Sequence, residues 1–171
     1  MSTEENKAIM RRYLEEAWGN QDWSVVDEVV AEDAVFHDQV REGGQPGRAN
    51  LRAVMDNMFT GAPDLQMNIH DMIAEGDLVA VRFSSTGSHT GDFNGIPPTG
   101  RPVRFDGIAI VRFEDGRIIE GWQEADRMGL AQQLGVMPKG EMPRPVARAL
   151  VGIIRLKDRL SRRRALRSPG T

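Results

Sequence analysis

The segment between residues 87 and 126 is rich in strand signals and gives the strongest indication of the fold. It begins with GSHTGDFNGIPPTGR at residues 87–101 and ends with EDGRIIEGWQEAD at residues 114–126. The Asp-Gly pair at residues 115–116 is typical of a tight turn between antiparallel strands. We therefore predict two adjacent strands, a rigid Pro-Pro loop beside them, and a carboxylate at a strand end, an arrangement that forms one end of a pocket.

Three predicted helices precede the strand-rich region. Ser2 or Thr3 followed by Glu5 indicates a capped helix start, and Asp22 indicates the cap of a second helix. A third helix is predicted over 48–59, strands over 34–38, 65–75, 78–90, 103–114 and 117–126, and a short helix over 128–134. This order predicts an α+β fold in which helices cover one face of a curved antiparallel sheet.

The C-terminal part of the chain differs from the rest. Residues 1–136 form the predicted main domain, residues 137–144 a Pro/Gly hinge, and residues 145–171 a basic amphipathic helix and tail. From Lys139 onward there are ten basic and two acidic residues, against 12 basic and 23 acidic residues before it. The helix is expected to pack on its own domain or on a second copy, or to contact an anionic membrane surface or another protein. Nucleic acid is not expected, because the main domain is acidic.

Composition narrows the class of protein further. The 171 residues include no cysteine, and 40% are hydrophobic and 27% charged, which is ordinary for a globular protein. The polar, acidic N-terminus does not resemble a secretory signal, and no apolar run reaches the roughly 20 residues of a membrane span. We therefore expect a cytoplasmic protein.

Asp126 is the first candidate for catalysis. Strict alternation along 117–126 would place Ile118, Glu120, Trp122, Glu124 and Asp126 on one face of the strand. Trp122 is bulky and apolar, so we expect this face to point inward. A carboxylate in an apolar cavity is harder to ionise, which suits proton transfer near neutral pH. The alternative interpretation is that Asp126 caps the next helix and that Glu124 lies at a solvated edge.

The histidines and the helix aromatics are weaker candidates. His37 follows Phe36 at the end of the first strand and could face a pocket or be a hydrogen-bonded residue on its rim. His70 lies in an ambiguous strand, and His89 is a loop residue; no two histidines have ligand spacing, so no metal site is predicted. Tyr13 and Trp18 could pack in the core or line a ligand cavity.

Several motifs together resemble the SnoaL-like polyketide cyclase (ester cyclase) family of the nuclear-transport-factor-2-like superfamily. They are the Tyr13–Trp18 segment, Phe36-His37-Asp38, Pro63-Asp64-Leu65, residues 74–82, Gly87–Thr90 with Gly95–Arg101, Asp115–Glu120, and Trp122–Asp126. The resemblance covers about residues 6–135. The part of the chain after Gly135 departs from the family pattern, in which the chain normally ends soon after the short helix.

The resemblance implies a cone-shaped cavity and an intramolecular aldol cyclisation of a hydrophobic polyketide ester without metal or cofactor. It implies Asp126 as the catalytic acid/base, aided by His37, with Trp122 and Tyr13 at the pocket and a homodimer as the assembly. Glu124 and Trp18 complete the predicted pocket. Other reactions in the same cavity, namely hydration, isomerisation or hydroxylation, and non-catalytic binding of a small molecule stay open.

Overall fold

The structure is a computed structural model that describes residues 2–38, 47–140, 143–149 and 151–152. Its helices and strands are, in chain order, α1 (Thr3–Arg12), a π-helical segment (Tyr13–Gly19), α2 (Trp23–Val29), β1 (Val30–Asp38), α3 (Arg48–Gly61), β2 (Gln66–Glu75), β3 (Leu78–Ser88), β4 (Pro102–Glu114), β5 (Arg117–Ala125) and α4 (Arg127–Leu134). The predicted order is confirmed, and β1 starts earlier than expected.

Side-chain caps begin the helices where the sequence predicts them. The Ser2 hydroxyl accepts the Glu5 backbone N–H at 3.3 Å, and the Glu5 carboxylate accepts the Ser2 backbone N–H at 2.7 Å. Asp22 caps α2 by accepting the Ser24 N–H at 2.9 Å. These bonds satisfy N–H groups that have no partner inside the helix, and thereby set where each helix starts.

The five strands form one sheet in the order β1-β5-β4-β3-β2. Strands β2 to β5 form an antiparallel meander, whereas β1 pairs parallel to β5. Asp115 and Gly116 both have positive φ, 46° and 79°, in the turn between β4 and β5. Two consecutive positive φ values are typical of the tight hairpin turn that suits the twist of paired strands. The fold is the predicted α+β architecture with a curved open sheet and N-terminal helices.

The two faces of the sheet differ sharply in burial. The inner face packs against the helices and carries buried side chains, among them Val79, Val81, Phe83, Val111 and Ile118. The outer face carries exposed isoleucines: Ile73 is 71%, Ile108 54% and Ile110 40% exposed. The hydrophobic core therefore lies between the helices and the inner face alone.

The chain divides into two compact units, Met1–Val136 and Met137–Thr171. In the second unit, residues 144–149 and 151–152 are helical, and Val146 and Ala147 donate their backbone N–H groups to the Pro143 carbonyl. Most of the predicted basic helix, from residue 153 onward, lies outside the described residues. Within the described ranges, no helix is long and apolar enough to cross a membrane.

Candidate functional site

A β-bulge in β5 determines which face each candidate side chain occupies. Phe113 of β4 pairs with Ile118, but the preceding residue, Arg112, pairs with Glu120, so Ile119 is an extra residue in the ladder. One extra residue reverses the alternation beyond it. Ile118 is buried on the inner face, whereas Trp122 pairs with Ile110 on the outer face. The prediction that Trp122 shares the face of Ile118 and points inward is therefore wrong.

Trp122 and His37 form a stack on the outer face. Their rings lie 5.4 Å apart at an angle of 11°, and the Arg112 guanidinium lies 5.8 Å from the centre of the Trp122 ring. His37 Nε2 is 2.9 Å from a Glu120 carboxylate oxygen, and Arg112 contacts the other oxygen at 3.5 Å. His37 is exposed. It matches the hydrogen-bonded rim histidine of the alternative interpretation, and it does not point into the core.

Asp126 is exposed and caps α4. Its carboxylate Oδ1 accepts the Gly129 N–H at 2.8 Å, and its own backbone N–H donates to the Asp106 carbonyl at 3.0 Å. The expectation of a desolvated carboxylate in an apolar cavity is wrong, because its strand face turns outward after the bulge. The observed geometry is the helix cap that the sequence also allowed.

Asp126 and Glu124 nevertheless line a common groove on the outer face. The groove has a volume of about 360 Å³ and is lined by Arg82, Asp106, Gly107, Ile108, Glu124, Ala125 and Asp126. Ligand pockets typically span roughly 300–1,000 Å³, so the volume suits a small organic molecule. Arg82, Ile108 and Glu124 are directly opposite one another on β3, β4 and β5. Two strand spacings place the basic and acidic walls roughly 10 Å apart.

The groove combines charges of both signs. Arg82 Nε donates to the Asp71 carboxylate at 2.7 Å, which orients the guanidinium at one wall. On β4, the neighbouring strand, Arg104 donates to Asp106 at 2.9 Å, and this hydrogen bond lowers the pKa of Asp106 below its ordinary value. The groove thus presents carboxylates for proton transfer together with a guanidinium that can attract a developing negative charge.

Tyr13 and Trp18 lie in the hydrophobic core, and they line neither the groove nor the stack of His37 and Trp122. Both are buried, and the Trp18 side chain hydrogen-bonds to that of Tyr13. Burial raises the pKa of the Tyr13 phenol well above its usual range. Trp18 also packs edge-on against Phe59 with ring centres 6.0 Å apart. The six predicted site residues therefore fall into three places: the groove, the outer stack and the core.

The sequence analysis did not select two polar residues, Gln123 and His89, as site candidates. Gln123 pairs with Ala109, a buried inner-face residue, so the bulge places this polar residue on the inner-face side of β5, where it is exposed. The apolar doublet Ile118-Ile119 is the signal that could have indicated the bulge, because strict alternation does not produce two apolar neighbours. His89 is a loop residue as predicted, but it is only 2% exposed. Across the described ranges, no three His, Asp or Glu side chains are grouped closely enough to hold a metal ion.

Comparisons with known proteins agree with this fold. The family model described as SnoaL-like polyketide cyclase matches residues 8–134. A search of the curated proteins finds no match. Similar solved structures include AclR from Streptomyces galilaeus, described as a candidate hydroxylase (28% identity, 94% of this chain and 98% of that chain, TM-score 0.73). IdmH from Streptomyces antibioticus, described as a candidate polyketide cyclase, is 32% identical over 76% of this chain and 98% of that chain, with a TM-score of 0.67. TsrD from Streptomyces laurentii is 26% identical over 80% of this chain and 99% of its own, with a TM-score of 0.72.

Proposed function

We propose, because the chain belongs to the SnoaL-like polyketide cyclase family, that it is an acid/base enzyme that closes a ring in a hydrophobic, polyketide-like substrate. The observation that carries this proposal is the family match over residues 8–134, which spans all five strands and α4. The groove that contains Glu124 and Asp126 supports it with a suitable volume and suitable chemical groups.

In the proposed reaction, the Asp126 carboxylate takes a proton from a carbon that lies between two carbonyl groups. The electron pair of the broken C–H bond is delocalised into these carbonyls as an enolate. The enolate carbon then attacks the carbon of a third carbonyl group in the same molecule, and the oxygen of that third carbonyl receives the proton. No atom is gained or lost, so the cyclised alcohol has the mass of the substrate until water leaves.

The groove assigns supporting roles to two other residues. Arg82 lies across the groove from Glu124, and its positive charge would stabilise the enolate oxygen as negative charge develops. Glu124 would relay the proton to solvent, because it is exposed and two residues from Asp126. His37 lies outside the residues that line this groove, so its proposed part is to position β5 through its stack with Trp122.

Hydroxylation is the second candidate reaction. AclR, described as a candidate hydroxylase, matches 94% of this chain. This match extends beyond residue 134, where the match to the family model ends. A hydroxylation would insert one oxygen atom from O₂ into a C–H bond, and two electrons from a reductant or from the substrate would reduce the other oxygen atom to water. The two reactions therefore differ in mass change and in their need for oxygen.

Mass spectrometry separates the two candidates. The protein is incubated with a panel of aromatic β-keto esters that carry a further ketone in the same molecule, with and without O₂. The products are separated by liquid chromatography and compared with those formed in buffer alone. Ring closure predicts a product of unchanged mass, or of that mass less one water, with and without O₂. A gain of one oxygen that needs O₂ would replace the first candidate by the second. Absence of turnover with saturable binding would support a non-catalytic binder.

The predicted homodimer stays a prediction, and the outer face is the surface we propose for it. Ile73, Ala80, Ile110 and Trp122 are opposite one another across four strands and form an apolar row, in which the two isoleucines are exposed and Ala80 and Trp122 are half-buried. A second copy that covered this row would narrow the neighbouring groove at Ile108. Sedimentation of the full chain tests this, since a monomer at micromolar concentration would contradict it. The cytoplasmic location and a membrane or protein contact of the basic helix also stay predictions.

A further inference from the structure

His89 is a buried polar side chain that the proposed reaction does not use. It follows β3 in a loop that is tied to its surroundings by backbone hydrogen bonds. His89 N–H donates to the Arg101 carbonyl, and Gly100 N–H donates to the His89 carbonyl, both at 2.9 Å. Thr90 and Gly91 donate to the Gly61 carbonyl at the end of α3. These bonds hold the imidazole in one position between α3 and the loop.

One ring nitrogen of His89 has a defined role. Nδ1 accepts the backbone N–H of Thr99 at 3.1 Å and lies 3.0 Å from the Thr99 hydroxyl. A backbone N–H can only donate, so Nδ1 must carry a lone pair. The proton of the neutral imidazole is therefore on Nε2, which makes Nε2–H a hydrogen-bond donor.

Nε2 has no hydrogen-bond partner among the residues that the structure describes, although it is fully buried. The ring lines a cavity of about 20 Å³ whose other lining side chains are apolar, including those of Met58, Leu65, Phe93, Phe105, Leu130 and Leu134. A cavity of this size can hold a water molecule, but buried waters usually make about three hydrogen bonds. Among the described residues, His89 is the one lining side chain that could form a hydrogen bond to this water, so water alone does not suit the cavity.

We propose that this cavity is a binding subsite for the carbonyl oxygen of an otherwise apolar ligand, a ketone, aldehyde or ester, with His89 Nε2–H as the donor. A carbonyl oxygen needs a donor and brings none of its own. A hydroxyl group would add a donor for which the lining side chains offer no acceptor. An anion would lose its hydration without meeting a charged partner.

The size of the cavity limits what enters it. About 20 Å³ admits one or two heavy atoms, so the carbonyl group enters and the rest of the ligand extends outward. Phe93 and Leu130 are only half-buried, which places the surface beside them. The subsite does not depend on the reaction proposed above, because it requires binding and no turnover.

Two substitutions separate the donor of His89, Nε2–H, from its anchor, the hydrogen bond that Nδ1 accepts from the Thr99 N–H. His89→Asn keeps an acceptor where Nδ1 stands, so it can still accept the Thr99 N–H, but it removes the donor. His89→Gln keeps an N–H group where Nε2 stands and loses the anchor. Binding of acetone is measured by NMR on protein with ¹⁵N-labelled histidine, with 2-methylpropene as the probe that has the same shape without the oxygen.

We expect acetone to shift the Nε2–H signal of the wild-type protein in a saturable way. His89→Asn should weaken acetone binding at least about fivefold and leave 2-methylpropene binding within about twofold, and His89→Gln should recover part of the loss. Unchanged acetone affinity in His89→Asn, or no response of the Nε2–H signal to acetone, would overturn the proposal. A variant whose backbone spectrum differs from that of the wild-type protein is not correctly folded. In that case, the response of the wild-type Nε2–H signal to acetone tests the proposal by itself.

Discussion

The two faces of the sheet are built from the same five strands, but the inner face is buried and the outer face is exposed. On the inner face, apolar side chains such as Val111 and Ile118 are sealed by helices and stabilise the fold. On the outer face, Ile108 and Ile110 stand exposed beside Arg82, Glu124 and Asp126. In β5, the extra residue at the bulge decides which side chain belongs to which face. Membership of a strand therefore predicts the neighbours of a side chain only when the register is known.

Two isoleucines on opposite faces give the largest expected contrast. Ile118→Ala empties a fully buried position and should lower the free energy of unfolding by about 2–5 kcal/mol. Ile108→Ala removes the same atoms from a side chain that is 54% exposed and should cost less than about 1 kcal/mol. Urea denaturation of both variants measures the difference. Equal losses would mean that the outer face is covered as completely as the inner one.

Alkaline pH tests the burial of Tyr13, the one tyrosine in the chain. Its pKa is raised in the folded protein, first by burial, so the folded state favours the protonated phenol. The phenol contributes fully to the free energy of unfolding below about pH 10, the pKa of tyrosine in the unfolded chain. This contribution is lost as the pH rises above that value. The ultraviolet absorbance of the phenolate should therefore appear together with unfolding. A phenolate signal near pH 10 from the folded protein would contradict burial.

The cap of α4 gives the smallest expected change. Asp126→Ala removes the acceptor of the Gly129 N–H and should destabilise the protein by about 1 kcal/mol. Asp126→Ser keeps a capping oxygen and should be close to wild type in stability. Thermal unfolding of the two variants compares them directly. If the serine variant lost as much stability as the alanine variant, the cap would not be the structural role of Asp126.

The sequence predicted the fold because the fold depends on local signals that agree. Caps at Ser2 and Asp22, the turn at Asp115-Gly116 and the apolar spacing in the helices each act within a few residues. The site was predicted less well, because its geometry depends on register. The bulge at Ile119 reversed Trp122, and the burial of His89 depends on Thr99 and on the distant end of α3. Neither effect leaves a periodic pattern.

In the proposed reaction, the carboxylate of Asp126 transfers a proton on the outer face in addition to capping α4. Uptake of deuterium from D₂O into the carbon between the two carbonyls of an aromatic β-keto ester measures this step by NMR, above the rate in buffer alone. Wild-type protein should accelerate uptake, and Asp126→Ser, which keeps the cap, should lose at least about 100-fold of that acceleration. Uptake by a folded serine variant at the wild-type rate would contradict the claim and leave Asp126 as a structural residue.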